Sequence, residues 1–230
     1  MSVRGFGSTA STLISDKNGR KLFLLGLGAA AAVRLLVILF VPPGTDVFYY
    51  DRQAVEVLLS FQSPYLHHFT DIPASLATPG AENTFAYLPL TALYLLPFYF
   101  TGDIRVGFIV ADILIGAILY ALGGGRNGTS LFYWFVPFTV IFSTIYLNNS
   151  LISLLFISLF VIFEHSERRF LGALSFGIAL SAIQFAWLLL PFVLYYYLRA
   201  RRWKESTIAV LVALALILPF FVAAPARARR

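Results

Sequence analysis

Apolar blocks near the length of a membrane span recur along this chain, with charge, glycine and proline collected between them. A transmembrane helix needs about 20 predominantly apolar residues to cross the ~30 Å hydrocarbon layer, and this pattern restricts the choice of fold more than any other feature. Runs such as Ile208 to Leu216 contain no polar residue, unlike the alternating ~10-residue strands of a transmembrane barrel. Of the residues, 59% are hydrophobic and 12% charged, against roughly a quarter charged in soluble domains, so a water-facing shell cannot be built. The expected fold is all-α. It is a polytopic transmembrane helix bundle of about seven spans, with residues 1–230 forming one multi-pass domain in the lipid bilayer of the cell membrane.

The expected spans are Leu22 to Val41, Phe85 to Phe100, Ile104 to Leu122, Leu131 to Leu147, Leu151 to Phe163, Phe170 to Leu198 and Ile208 to Ala223. The fifth is short and the sixth long, a pattern that suits a re-entrant or broken helix. Arg4, Lys17, Arg20 and Lys21 precede the first span, which reads as retained rather than as a cleaved signal. The long loop Pro42 to Thr84 sets Arg52 against Asp46, Asp51, Glu56, Asp71 and Glu82. Cations favour the cytoplasmic side, so the N-terminal segment 1–21 is expected in the cytoplasm and loop 42–84 outside, where a tag near Ala81 would be reachable. On the same count Arg199, Arg201, Arg202 and Lys204 fall inside, whereas Arg126, Arg168 and Arg169 fall outside against the rule. The net charge of +6 therefore reports membrane orientation, and no nucleic acid partner is expected. Cysteine is absent, which excludes thiolate chemistry.

Only this first external loop is long, and long ordered loops tend to carry function. Asp46 to Phe61 reads as an amphipathic surface helix capped by Thr45 or Asp46, with Val47, Tyr50, Ala54, Val57, Leu58 and Phe61 on one face. Tyr50 and Val57 should be buried. Asp46 and Tyr50 are four residues apart on a shared face, just beyond the first span. A carboxylate there can meet a substrate whose lipid tail lies in the bilayer. It can equally cap the helix, and the two roles are compatible.

Thr45-Asp46-Val47-Phe48-Tyr49-Tyr50, with Ala54, Leu58-Leu59 and Ser63-Pro64-Tyr65, resembles the first external loop of GT-C glycosyltransferases of the polyprenyl-phosphate-sugar-dependent, mannosyltransferase-like kind. Phe85-Ala86-Tyr87-Leu88-Pro89-Leu90 is similar to the Tyr-x-Pro motif opening their second span. Ala182-Ile183-Gln184-Phe185-Ala186-Trp187, followed by Leu190-Pro191-Phe192 and the basic Arg199 to Lys204, is similar to their later segment. The order and spacing of the motifs, over Leu22 to Pro225, carry the likeness. The chain departs from the family at Phe61 in place of Gly, at Gln184 where Lys is frequent, and at Asn148-Asn149-Ser150-Leu151 in place of a Gly-Gln-x-Asp-like stretch.

The resemblance implies transfer of a sugar from a polyprenyl-phosphate donor to an acceptor hydroxyl on the external face, with inversion and without a cofactor. Asp46 matches the family's catalytic Asp and would be the general base. Tyr50, Tyr65, Tyr87 and Gln184 match positions that contact substrate. The leaving lipid phosphate is an anion and calls for cationic or hydrogen-bonding groups, for which Arg52, His67 and His68 are the loop's candidates. Arg52 has an alternative partner in Glu56 at i,i+4. His67 and His68 beside Asp71 do not make a metal centre, because adjacent His side chains point apart and a catalytic metal needs about three convergent ligands. Family members are usually longer, so the chain reads as an N-terminal module, with a partner that supplies further spans. The rival reading is a non-enzymatic membrane protein, a transporter or assembly subunit, or an inactive relative; no internal repeat of the kind transporters show is present.

Arg34 and Asp112 fall inside spans, where ionisable residues are costly and usually face the bundle interior. The plain expectation is that Arg34 snorkels outward and Asp112 pairs with a nearby donor. Gly123 to Gly128 lacks the Lys-Ser/Thr of a phosphate-binding loop and reads as a turn between helices.

Overall fold

The computed structural model describes residues 17–76 and 85–223. The tag position Ala81, with Glu82 and Thr84, lies outside the described residues. Within them are ten α-helices, two 3-10 turns and no strand. The helices are α1 (Lys17–Phe40), α2 (Val47–Leu59), α3 (Pro89–Tyr99), α4 (Arg105–Leu122), α5 (Asn127–Phe135), α6 (Pro137–Thr144), α7 (Ser150–His165), α8 (Arg169–Leu180), α9 (Leu190–Arg199) and α10 (Trp203–Ala223). The 3-10 turns are Pro64–Leu66 and Gln184–Leu189.

Among the described residues, three helices, not seven, are long and apolar enough to cross a membrane: Lys17–Phe40, Arg105–Leu122 and Trp203–Phe221, the last within α10. Prolines and extended residues account for three of the four missing spans, and the fifth block, α7, is only 16 residues long. α3 begins only at Pro89, after Leu88 in an extended conformation, and runs for 11 residues, about 16 Å at 1.5 Å per residue. The expected fourth block breaks at Val136, also extended, because Pro137 has no N–H to continue the ladder. The long sixth block divides into α8, the 3-10 turn and α9, with Ile183 extended at the division, as a broken helix requires.

The break at Pro137 explains the two charges inside the bundle. A proline at 137 frees the Tyr133 carbonyl and distorts the turn after it, and apolar surroundings offer no water to those oxygens. Thr139 Oγ1 donates to Tyr133 O at 2.7 Å, and Arg34 Nη2 donates to Trp134 O at 3.0 Å. Arg34 Nε donates to Asp112 Oδ2, and both side chains are fully buried. Arg34 thus turns inward rather than snorkelling, because its guanidinium has five donors and the break and Asp112 supply acceptors. Asp112 does pair with a donor, and that donor is Arg34.

A second arginine closes the neighbouring helix end. Arg105, held by Asp103 at 2.7 Å, donates to Ile38 O at 2.8 Å and Val41 O at 2.7 Å, satisfying carbonyls that the end of α1 leaves without helical partners. Its guanidinium also lies 5.8 Å from the Phe48 ring, fixing the start of α2 against the bundle. A third, Arg202, makes a two-pronged contact with Glu164, which also accepts from Tyr196 and Tyr197, and ties α7 to α9 and α10.

α8 and α10 meet through Gly177. A Cβ there would lie 2.5 Å from Ala209 O and 2.8 Å from Val212 Cβ, and a backbone oxygen cannot swing away as a side chain can. Small residues let membrane helices approach this closely. Gly177→Ala should therefore lower stability by about 1–3 kcal/mol, the usual cost of overpacking, measured by thermal unfolding in detergent. An unchanged midpoint would mean that the two helices do not touch there.

Candidate functional site

The first loop folds as expected in outline and differs in its faces. α2 spans Val47–Leu59, Val57 is buried, and Tyr50 is half-buried against Phe69 with ring centroids 5.6 Å apart. Phe61 does not join the apolar face: the helix has ended, its φ is +54° and its side chain is 96% exposed. The helix is also buried along a second stripe, Phe48, Asp51 and Val55, at i, i+3 and i+7. It is wedged into the bundle rather than laid on its surface.

Asp46 occupies the N-cap position but makes no capping bond with its side chain. Thr45 takes that part: its Oγ1 lies 3.4 Å from Val47 N and donates to Asp46 Oδ1 at 3.0 Å. The half-buried Asp46 carboxylate is thereby oriented. Gly44 sets its position, donating from N to Ile145 O at 2.9 Å. A Cβ on Gly44 would meet Ile145 Cγ2 at 2.9 Å, so the residue that brings Asp46 against the 145–149 turn is one without a side chain.

Around Tyr87 the chain gathers Asp46, Tyr50, Asp51 and Asn149. Burial first, then the Asp46 charge, pushes the Tyr50 phenol up. Burial first, then the charges of Asp51 and Asp46, push the Tyr87 phenol up, with Asn149 pulling the other way. Asn149 Nδ2 donates to Asp51 Oδ1 at 3.3 Å. Asp51 has no solvent exposure, and burial holds its carboxyl well above the usual carboxylate range, with the Asn149 bond pulling partly the other way.

The remaining sequence candidates fall into two groups. Tyr65 and Gln184 converge on the strip that carries Tyr87: Tyr65 Oη donates to Tyr87 O at 2.6 Å and Gln184 Nε2 to Ala86 O at 2.7 Å. Leu90 N and Thr91 Oγ1 continue the contact, donating to Ser181 O at 3.0 Å and Ala182 O at 2.9 Å. The three motif segments are thus bonded to one another in space. Arg52 instead pairs with Glu56 at 3.1 Å on an exposed face, and that glutamate also accepts from Tyr99 at 3.1 Å. His67 packs edge-on against Phe69 at 5.2 Å, and His68 is exposed. Among the described residues, no three His, Asp or Glu side chains are grouped as metal ligands would be.

No protein-family model, curated protein sequence or solved structure matches the chain. What the site can do therefore rests on its own geometry.

An open groove of about 420 Å³ is walled by Phe138, Phe142, Leu154, Ile157 and Phe185 from α6, α7 and the Gln184–Leu189 turn. Asn148 and Ser150 also line it and flank Asn149 in the chain, while Asn149 itself is buried and outside the lining. Two features were not anticipated from sequence, this groove and the buried Asp51–Asn149 pair. The signal for the second was present in the Phe48, Asp51, Val55 spacing, which is itself a helical face.

Proposed function

We propose that the chain is a GT-C-type membrane glycosyltransferase, or the N-terminal module of one, that transfers a sugar from a polyprenyl-phosphate donor to an acceptor hydroxyl on the external face. The observation that carries this reading is an oriented, half-buried Asp46 carboxylate just beyond the end of a helix long enough to span the bilayer, in a bundle that also holds an open apolar groove. A lipid-linked sugar requires both: an apolar track for the chain and a base at the membrane boundary. Asp46 would take the acceptor hydroxyl's proton as the glycosidic bond forms, and the phosphate would leave with the electron pair of the broken bond. Tyr50 and Tyr87 flank the carboxylate and would orient the hydroxyls of the two substrates. Arg52, committed to Glu56, is a weaker candidate for the phosphate than the sequence alone suggests.

A diazirine placed on the isoprenoid chain of a polyprenyl phosphate tests the groove directly. On illumination in proteoliposomes, label is expected on Phe142, Leu154 and Phe185. Label spread evenly over the exposed faces of α1 and α10, with none in the groove, would remove the lipid track from this reading.

A further inference from the structure

Asp51 has an unusual environment for a carboxyl group. It is fully buried, no ion pair reaches it among the described residues, and its carboxyl accepts there a 3.3 Å hydrogen bond from Asn149. Asp51 Oδ2 and Asn149 Oδ1 are both buried acceptors without a hydrogen-bond partner. These two orphans belong to the same pair, and a single proton resolves both. A carboxylic acid and a primary amide form a two-bond ring in which the acid O–H donates to the amide oxygen and the amide N–H donates to the acid carbonyl. The second amide N–H then remains free for a further acceptor, and Tyr87 is the phenol on which Asn149 acts. An ionised carboxylate would leave Asn149 Oδ1 facing a negative charge, and burying that charge without a counter-ion is costly. The titratable groups around Asp51 offer no relief: Asp46 and Tyr50 come from its own helix and Tyr87 from the strip before α3. The nearby Arg105 is held by Asp103.

We infer that Asp51 is kept as a neutral carboxylic acid in a two-bond ring with the Asn149 amide, and that this ring is a positioning device that sets Tyr87 beside Asp46 rather than a second base. The positioning part rests on the glycosyltransferase reading; the protonation state does not. The direction of Asp51's displacement agrees with the ring, since burial favours the uncharged form.

Asp51→Asn separates the possibilities, because an asparagine reproduces the donor and acceptor of the neutral acid but not a carboxylate. Infrared difference spectroscopy of the folded protein at neutral pH should show a protonated-carboxyl C=O band in the parent that Asp51→Asn lacks. No such band would overturn the inference without touching the proposed activity. Thermal unfolding gives a second readout. A carboxyl raised in the folded state stabilises fully below its unfolded pKa, and that stability is lost as pH rises through the folded value. The parent should therefore lose stability across that window relative to Asp51→Asn, whereas parallel pH profiles would contradict the inference. In transfer assays Asp51→Asn should stay within a few-fold of the parent, while Asp51→Leu, which removes both bonds of the ring and leaves the Asn149 oxygen and one of its N–H groups unpaired, should lose stability and transfer together. A folded Asp51→Asn that has lost transfer would make Asp51 an ionised participant. Absence of transfer by the parent would count against the glycosyltransferase reading and leave the infrared result standing.

Discussion

Asp46→Asn should reduce sugar transfer by ~10²–10⁴-fold, the range typical of removing general-base assistance, while the protein folds and inserts as the parent does. Asn is nearly isosteric and can still accept the Thr45 hydroxyl bond at 3.0 Å, so the local turn should persist. The absence of a side-chain capping bond at Asp46 sharpens the experiment, since no cap is lost on substitution. Donor binding, measured by retention of a lipid-phosphate analogue, should largely remain. A variant with undiminished transfer would remove Asp46 from the chemistry.

Asp112→Leu should destabilise the bundle by about 3–5 kcal/mol, the usual result of leaving one member of a buried ion pair without its partner. Arg34 is fully buried and would keep only the carbonyls of Ala30 and Trp134 and the Thr139 hydroxyl as acceptors. Combining it with Arg34→Met should recover part of the loss, because the uncompensated charge goes too, although Trp134 O then loses its donor. The double-mutant cycle, read from unfolding in mixed detergent, should accordingly be strongly non-additive. Additive or negligible effects would mean that the pair does not brace the Pro137 break. Transfer per folded molecule should not change in any of these variants, since the pair serves the fold.

The sequence displayed the long helices because continuous apolar runs have few other uses, and it displayed their interruptions because proline marks them: Pro89 opens α3 and Pro137 splits α5 from α6. It overstated the number of spans, since apolar composition does not distinguish a crossing helix from a short one packed among neighbours. Motif order singled out Asp46, Tyr50 and Tyr87, and in the structure Tyr87 lies within electrostatic reach of the other two. Asp51 was not singled out. It stands between Tyr50 and Arg52 in an acidic loop, and a residue one position away on a helix points some 100° aside, as 3.6 residues per turn dictates. Its partner Asn149 lies 98 residues further along the chain, in the stretch where the family pattern is absent, so only the folded chain could pair the two. Arg34 was misjudged for a related reason: nothing local announces that a helix break 100 residues away presents a free carbonyl.

Transfer by the purified chain in proteoliposomes, with labelled sugar supplied either on a polyprenyl phosphate or on a nucleotide, tests the central claim most directly. The account predicts labelled glycoside from the lipid-linked donor, none from the nucleotide sugar, and loss of the product with Asp46→Asn. Product from the nucleotide sugar alone would contradict it, as would a folded chain, supplied with any C-terminal partner spans, that neither binds the lipid-linked donor nor transfers from it.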